Sequence, residues 1–405
     1  MTQPEEVNLS STQLALIDKH LQQRYVIPKK VAGTLTLVAR KGKVAYLSPL
    51  GMMDLEREKP MDRDTIFRIY SMTKPITSVA LMMLYEQGLF QLNDPVHKYI
   101  PEWKNLRVYG AGNYPAFLTS RPKRPMTIRD LMTHMSGLTY GFMERTNVDA
   151  AYRKLDIGGA GSGGTLRDMI EKLASLPLEF SPGTKWNYSV SSDVLGYLVE
   201  VFSGMRFDEY LKTKIFEPLN MVDTDFWVPP EKLDRFAANY TRRPDKTLLL
   251  MDDPGDSTYT KPATYFSGGG GLTSTASDYF RFCQMLLNRG ELEGVRILGR
   301  KTIELMTMNH LPGGQDLTDL SLSTFSQTAS EGFGFGLGFS IHLGSDKSQV
   351  IGSPGEYAWG GAASTAFWID PVEDLIVIFL TQFMPDGTFN FRGQLKTIIY
   401  PAILD

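Results

Sequence analysis

The sequence is poor in cysteine and histidine and has no apolar run long enough to span a membrane. Its 405 residues include one cysteine, Cys283, which excludes a disulfide within the chain. Its place in the helical pattern DYFRFCQMLL is typical of a buried small side chain. The five histidines show no paired metal spacing, so no metal site is predicted. No stretch of about 18 apolar residues occurs, and we therefore expect no membrane-spanning helix.

Neither positive nor negative residues are in large excess. The chain has 42 Lys and Arg against 45 Asp and Glu, a formal net charge of −3, with both signs mixed along it. Without a basic stripe or tail, neither nucleic acid nor an anionic membrane is expected as a partner. The first residues lack the basic start and apolar stretch of a secretion signal, which predicts a cytoplasmic protein. The sequence leaves the oligomeric state open.

Two common functional motifs are absent or incomplete. No Gly-x-Ser-x-Gly elbow is present, which argues against an ordinary α/β-hydrolase. Gly159-x-Gly161-x-x-Gly164 has the spacing of a dinucleotide fingerprint, but the preceding AYRKLDI is a poor strand. We interpret this stretch as a loop between helices and predict no cofactor.

Strand patterns occur towards both ends of the chain. Residues 11–25 have the apolar spacing of a helix, and GTLTLVARKGKVAYLSPLG has two β-rich runs around a Lys-Gly-Lys turn, which indicates a hairpin. Strands return in GFGFGLGFSIHL, GGAASTAFWID and LIVIFLTQF, before a C-terminal helix at about 388–402. These patterns predict an α/β (α+β) fold, with an antiparallel sheet built from both chain ends and flanked by helices.

Between these strand-rich parts, short helical patterns alternate with Pro, Gly and charged residues. They include TIRDLMTHMSGL, TLRDMIEKLASL, SSDVLGYLVEVFSG and FDEYLKTKIFEPL. We therefore predict a mostly helical domain at residues 91–255, inserted into an α/β domain formed by residues 1–90 and 256–405.

The stretch FRIYSMTKPITSVALMML contains the strongest chemical signal. Ser71 and Lys74 are three residues apart before a long apolar run, so their side chains share one helix face with Cβ atoms about 5–6 Å apart. Pro75 fits only a first turn, which places Ser71 at the helix N-terminus. Burial and the helix dipole both lower the pKa of such a lysine, which can then act as a base towards the serine hydroxyl. The alternative is a helix cap beside a lysine whose charge reaches solvent.

Two further segments offer partners for this pair. Tyr188 lies in a tight loop after a Pro-Gly turn, where its hydroxyl can relay a proton to a leaving group, and a cationic neighbour is expected to lower its pKa. The alternative is an aromatic side chain packed at an interface. Trp359-Gly360-Gly361 precedes a β-rich run, and glycines at a strand start let a substrate reach the backbone N–H groups of an oxyanion hole.

Together, Ser71-Met-Thr-Lys74, Tyr188 and Trp359-Gly360-Gly361 resemble the motifs of the serine β-lactamase and penicillin-binding protein superfamily. LMTHMSGLTYGF and GGGGLTSTASDYFRFCQMLLNRG are similar to its class C branch. The whole pattern most resembles the family VIII carboxylesterases, over about residues 14–385. The resemblance implies a β-lactamase-like fold of two regions, with the active site at their interface.

The same resemblance implies roles for individual residues. Ser71 would be the acylated nucleophile, with Lys74 and Tyr188 sharing the general-base and general-acid roles. The backbone N–H groups of Ser71 and Ala362 would form the oxyanion hole.

Two departures separate the chain from the β-lactamases that it resembles. Their second motif, Tyr-x-Asn, is here Tyr188-Ser189-Val190, and their third, Lys-Thr-Gly, is here Trp359-Gly360-Gly361. Both changes remove polar groups that those enzymes use to hold the amide and carboxylate of a lactam. Val190, Trp359, Gly360 and Gly361 are therefore predicted to contact a small ester substrate.

These features predict a serine carboxylesterase that hydrolyses short-chain esters through an acyl-enzyme on Ser71, and they leave room for weak β-lactam hydrolysis. A class C-like β-lactamase, a D-Ala-D-Ala peptidase and an acyltransferase are alternatives within the superfamily. A non-catalytic ligand-binding protein is the alternative from another class.

Overall fold

The computed structural model describes residues 1–158, 163–322 and 331–405. Gly159 and Gly161 of the predicted glycine loop lie outside the described residues. The strands are β1 Gly33–Arg40, β2 Lys43–Asp54, β3 Lys59–Pro60, β4 Phe67–Arg68, β5 Val108–Asn113, β6 Ala116–Ser120, β7 Asn239–Arg242, β8 Leu248–Asp252, β9 Thr273–Ser274, β10 Glu291–Leu292, β11 Val295–Arg296, β12 Phe333–Phe335, β13 Ser340–His342, β14 Tyr357–Gly360, β15 Ala366–Asp370, β16 Leu375–Leu380 and β17 Phe383–Met384.

The helices are α1 Ser11–Leu21, α2 Thr73–Tyr85, α3 Ile128–Met132, α4 Asn147–Lys154, α5 Leu166–Ala174, α6 Ser191–Ser203, α7 Phe207–Leu211, α8 Ala276–Leu287, α9 Arg300–Met306, α10 Leu317–Leu320, α11 Ser345–Ser348 and α12 Phe391–Ile399. Within the described ranges, none of them has the length and apolar character needed to cross a bilayer.

Eight strands form one antiparallel sheet in the order β12-β13-β14-β15-β16-β1-β2-β3. β1 pairs with β2 on one side and with β16 on the other, so that Val38 lies opposite both Tyr46 and Val377. Strands from the beginning and the end of the chain therefore share one sheet. The predicted antiparallel sheet from both chain ends is confirmed.

Successive side chains of β16 point to opposite faces of this sheet and enter two different cores. Val377 and Phe379 pack in the core formed with α1 and α12, whereas Ile376 and Ile378 pack in the core formed with α2 and α8. A strand that is buried on both faces has no polar side and reads as the continuous apolar run LIVIFL. Helices therefore cover both faces of the sheet, as predicted.

Helices α3 to α7 lie in the region between residues 91 and 255, and α6 packs against α2, α3 and α5. The apolar side chains of this region belong to the same core as α2. Strand β7 pairs in parallel with β17, where Phe383 lies opposite Tyr240. The boundaries of the inserted domain stay a prediction.

Two local patterns differ from the sequence-based expectation. The helical pattern TIRDLMTHMSGL gives only the short α3, because His134 (φ 56°) and Gly137 (φ 89°) adopt left-handed backbone conformations that a right-handed helix does not contain. The prediction that Gly360 and Gly361 begin a strand is wrong. Gly360 ends β14, and the next strand starts only at Ala366.

Candidate active site

Ser71 lies on a sharp turn between β4 and α2. Tyr70 has a left-handed backbone conformation (φ 43°), a short 3-10 turn spans Tyr70–Met72, and Pro75 lies in the first turn of α2. A tyrosine in this conformation costs about 1–3 kcal/mol. Asn239 Nδ2 donates a hydrogen bond to the Tyr70 hydroxyl at 3.1 Å and helps to hold it. The turn places the Ser71 side chain beside the N-terminal end of α2.

Lys74 follows on α2 and is almost completely buried. Its Nζ lies 3.2 Å from Ser71 Oγ and donates a hydrogen bond to the Gly269 carbonyl oxygen at 2.6 Å. Burial lowers the pKa of Lys74 to about 7, against the opposing charge of Asp193. The neutral amine that a proton acceptor requires is therefore well populated at neutral pH.

The Tyr188 hydroxyl reaches the same serine oxygen from a loop far away in sequence. It lies 2.5 Å from Ser71 Oγ, and its ring centre is 5.7 Å from that of Trp359. Burial raises the pKa of Tyr188 above its ordinary value, although the nearby Ser71 and Trp359 side chains act in the opposite sense. The expected lowering of this pKa is therefore wrong, because the loss of hydration outweighs the neighbours. A protonated Tyr188 suits the role of proton donor.

A glycine-rich loop connects Lys74 to a buried carboxylate. The carbonyl of Gly269 accepts a hydrogen bond from Lys74, while its N–H donates to Asp193 Oδ1 at 3.1 Å. Ser267 Oγ donates to the same carboxylate oxygen at 2.6 Å. A Cβ at position 269 would lie 2.6 Å from the Tyr140 hydroxyl and 2.7 Å from Asp193 Oδ2, so a side chain there would have to displace one of these two groups. The two peptide groups that flank the Cα of Gly269 thus contact the Lys74 amine and the Asp193 carboxylate.

The end of β14 approaches the Ser71 turn so closely that a side chain at Gly361 is excluded. A Cβ there would lie 2.4 Å from the carbonyl oxygen of Ile69. Neither the Ser71 N–H nor the following Ala362 N–H donates a hydrogen bond to any group in the described ranges. Uncommitted N–H groups where these two segments meet are what an oxyanion hole requires.

Aromatic rings enclose the amine and the tyrosine. Lys74 Nζ lies 4.3 Å from the ring centre of Tyr188 and 5.3 Å from that of Tyr140. The Tyr188 ring also packs against His134 and Trp186, with centres 5.0 and 6.3 Å away. Burial, and then the charge of Lys74, hold the pKa of His134 well below its usual value, so this imidazole stays neutral. The apolar surroundings strengthen the electrostatic interactions at the serine.

The chain is similar to known proteins over nearly its whole length. Residues 17–397, nearly the whole chain, match the family described as Beta-lactamase. The chain belongs to the beta-lactamase family. Within it, Protein Rv1367c of Mycobacterium tuberculosis is 34% identical over 359 residues, covering 88% of this chain and 87% of that protein. Esterase EstB of Burkholderia gladioli is 29% identical over 415 residues, covering 96% of this chain and 93% of EstB.

A solved structure agrees with this assignment. EstCE1, described as a hydrolase with promiscuous acyltransferase activity, superimposes with a TM-score of 0.81 at 25% identity, covering 96% of this chain and 99% of EstCE1. The beta-lactamase-like fold and the likeness to family VIII carboxylesterases are therefore confirmed. Esterase relatives within the beta-lactamase family indicate a serine hydrolase.

The two departures from β-lactamase motifs are both buried in this beta-lactamase-family chain. Val190 lies at the start of α6, where its N–H donates a hydrogen bond to Thr139 O at 3.2 Å. Trp359 also has no exposed surface and packs its indole against Tyr188. Neither side chain carries an amide or a charge. Substrate contacts of these two residues, and of the two glycines after the tryptophan, stay predictions.

Sequence reasoning missed three residues that surround Lys74: Asp193, Gly269 and Tyr140. Asp193 had a signal, because it is a charged residue in the first turn of α6, five positions after Tyr188 and directly before the apolar run VLGYLV. The four glycines at 268–271 were a second signal, since such a run marks close approach of backbone. Tyr140 had none, because its contact with the site depends entirely on how α3 ends.

Proposed function

We propose that this protein is a serine carboxylesterase that hydrolyses short-chain esters through an acyl-enzyme on Ser71. The observation that carries the proposal is the pair of contacts at one oxygen. Ser71 Oγ lies 3.2 Å from an amine whose pKa is about 7 and 2.5 Å from a tyrosine hydroxyl. A serine becomes an effective nucleophile when an adjacent base takes its proton. The esterase relatives EstB and EstCE1 support the same reaction class.

In the acylation step, the neutral Lys74 amine takes the proton of Ser71 as Oγ attacks the ester carbonyl. The N–H groups of Ser71 and Ala362 stabilise the negative charge that develops on the carbonyl oxygen. Tyr188 donates its proton to the alkoxy oxygen as the carbon–oxygen bond breaks, and it recovers a proton from the Lys74 ammonium. The products are a free alcohol and an acyl ester on Ser71.

Deacylation repeats these proton transfers with water in place of the serine. Lys74, neutral again, takes a proton from the attacking water, directly or through Tyr188, and the carbonyl charge returns to the same two N–H groups. The proton then passes to Ser71 Oγ as the acyl bond breaks. A carboxylic acid is released and the enzyme is restored.

We infer that esters are preferred to β-lactams because the site lacks polar groups at two positions. Val190 offers no amide to a lactam side chain, and Trp359 offers no cation to a lactam carboxylate. A hydrogen bond to a charged group is worth about 1.5–3 kcal/mol, so the loss of one weakens recognition by about 10- to 100-fold. Weak β-lactam hydrolysis is compatible with this proposal, since the acylation chemistry is common to both substrates.

Acyl transfer to an alcohol is the second candidate function. The aromatic rings around Tyr188 and Lys74 limit the access of water to the acyl-enzyme, which favours an organic acceptor that fits among them. The promiscuous acyltransferase activity attributed to EstCE1 is in line with this. A non-catalytic binding protein is not favoured, because the three chemical groups are all in contact.

The test measures kcat/KM for p-nitrophenyl butyrate and for the chromogenic cephalosporin nitrocefin on one preparation. We expect the ester value to exceed the nitrocefin value by at least about tenfold. A serine-directed phosphonate should add one adduct to the peptide that contains Ser71, detected by mass spectrometry.

The Ser71→Ala variant is the control for both measurements and should lose adduct and turnover. Labelling that persists in it would contradict the assignment of Ser71. An equal or larger kcat/KM for nitrocefin would replace the esterase proposal by a β-lactamase one.

A further inference from the structure

A cavity of about 640 Å³ lies between residues 96–126 and residues 178–182. Its apolar floor includes Val96, Trp103, Met126 and Leu178, all of them buried. It has no residue in common with the site around Ser71. Cavities of a few hundred Å³ with an apolar floor are typical of small-molecule binding sites.

The rim of this cavity is basic. It carries Lys104, Arg107, Arg121, Lys123 and Arg124, and none of its 15 lining residues is acidic. The whole chain has 42 basic and 45 acidic residues among 405, so an average set of 15 would contain between one and two of each. The density of positive charge around this cavity is therefore well above the average for the chain, whose net charge is negative.

Four of the five cations have no acidic partner among the residues that the structure describes. Within the described ranges, the side chains of Lys104, Arg121 and Lys123 make neither an ion pair nor a hydrogen bond, and Arg107 contacts only Oγ1 and the carbonyl oxygen of Thr119, each at 3.4 Å. Uncompensated charges around a low-dielectric concave surface focus the potential inside it. These charges therefore favour the binding of an anion in the cavity.

The fifth cation, Arg124, is held in place. Its guanidinium nitrogens bond both carboxylate oxygens of Asp130, at 2.5 and 2.8 Å, and Asp130 belongs to the capping box of α3. A Cβ at Gly183 would lie 1.9 Å from Arg124 Nη2, so the guanidinium packs directly on the backbone of the turn after Pro182. One wall of the cavity is therefore rigid, which lowers the entropy that a ligand must overcome.

We propose that this cavity binds a small organic phosphate, in which a phosphate or polyphosphate group is attached to an apolar ring or chain. The anionic group meets the unpaired cations of the rim, and the apolar part covers the floor at Trp103 and Met126. An anionic lipid surface or an acidic protein segment would meet the same cations but would not enter the cavity far enough to contact its apolar floor. The proposal stands independently of the chemistry at Ser71.

Isothermal titration calorimetry with 1-naphthyl phosphate tests the proposal, with inorganic pyrophosphate as the purely anionic probe. We expect saturable binding of 1-naphthyl phosphate that weakens as salt is raised, because exposed charges are screened. Pyrophosphate should bind more weakly, since it gains nothing from the floor. The double variant Arg121→Glu, Lys123→Glu should weaken 1-naphthyl phosphate binding by at least about tenfold.

The matched control is Lys19→Glu with Arg24→Glu, which changes the net charge equally on the exposed surface near α1. It should alter the affinity by less than about twofold. Thermal unfolding of both double variants shows that each is folded. Absent binding to the parent protein, or equal weakening in both variants, overturns the proposal. The organic-phosphate assignment is overturned if pyrophosphate binds more tightly than 1-naphthyl phosphate. It is also overturned if the protein binds phosphatidylserine vesicles but does not bind 1-naphthyl phosphate.

Discussion

The chain buries two lysines on opposite faces of its central sheet and holds them in different ways. Lys396 of α12 forms hydrogen bonds with both carboxylate oxygens of Glu356. The Tyr400 hydroxyl lies 2.6 Å from Glu356 Oε2 and 2.7 Å from Asp370 Oδ2. Lys74 of α2 has no carboxylate within ion-pair distance in the described ranges, and its amine instead contacts a serine hydroxyl and a backbone carbonyl.

Burial lowers the pKa of both lysines, but the groups that oppose this lowering differ. At Lys396 the charge and hydrogen bonds of Glu356 oppose this lowering directly. At Lys74 only the more distant Asp193 opposes it, and the pKa falls to about 7. Contact with a carboxylate, rather than the degree of burial, therefore separates a structural cation from a candidate base.

Replacing each lysine by methionine tests this comparison most directly, because methionine matches the lysine side chain up to Cε and removes only the charged amine. Lys74→Met should lower kcat for p-nitrophenyl butyrate by at least about 10², because general-base catalysis is lost. It should change the free energy of unfolding little. Lys396→Met should have the opposite effects. It should change kcat little, but it leaves buried carboxyl groups without their cation and should lower the free energy of unfolding by about 3–5 kcal/mol.

Esterase assays and urea unfolding of the two variants, side by side, decide the matter. Activity is expressed per folded molecule so that lost stability is not counted as lost catalysis. Equal losses of kcat in the two variants would mean that Lys74 has no special chemical role.

A smaller effect is expected when the proton donor is removed. Tyr188→Phe should lower kcat by about 10², since the leaving alkoxide then has no adjacent acid. Because Tyr188 and Lys74 act on one proton path, the Lys74→Met, Tyr188→Phe double variant should lose less than the product of the single losses. Steady-state kinetics of the three variants measure this. A loss equal to the product would show that the two groups act independently.

The smallest effect is a shift of the pH profile. The proposed base is active when neutral, so kcat/KM should rise as the pH increases through about 7. The Asp193 carboxylate raises the pKa of Lys74, and Asp193→Asn should therefore move this rise to lower pH. The measurement is kcat/KM from pH 5 to 9 for both proteins. A shift to higher pH would contradict the assigned sign of the Asp193 effect.

Local spacing made part of the site predictable from the sequence. Ser71 and Lys74 are three residues apart on one helix start, so their proximity follows from helix geometry alone. The antiparallel sheet was predictable for a similar reason, because the apolar runs at both chain ends are too continuous to be exposed.

Contacts between distant segments were harder to predict from the sequence. The position of Tyr188 depends on packing between segments 117 residues apart, and the direction of its pKa shift depends on burial, which no local pattern reports. Asp193 and Gly269 were not predicted as site residues, because their roles depend on a contact between distant segments. The Gly269 N–H donates a hydrogen bond to the Asp193 carboxylate, and no local pattern indicates this bond.

The pairing of β1 with β16 has a consequence for synthesis on the ribosome. β1 ends at Arg40, but the strand that covers one of its edges ends only at Leu380. At the usual speed of translation, about 5–20 residues per second, this edge waits for tens of seconds without its partner. An unpaired edge next to apolar side chains invites aggregation with other nascent chains. We therefore expect growing chains that do not yet contain β16 to depend on chaperones, and the pairing of β16 with β1 to be a late step in folding.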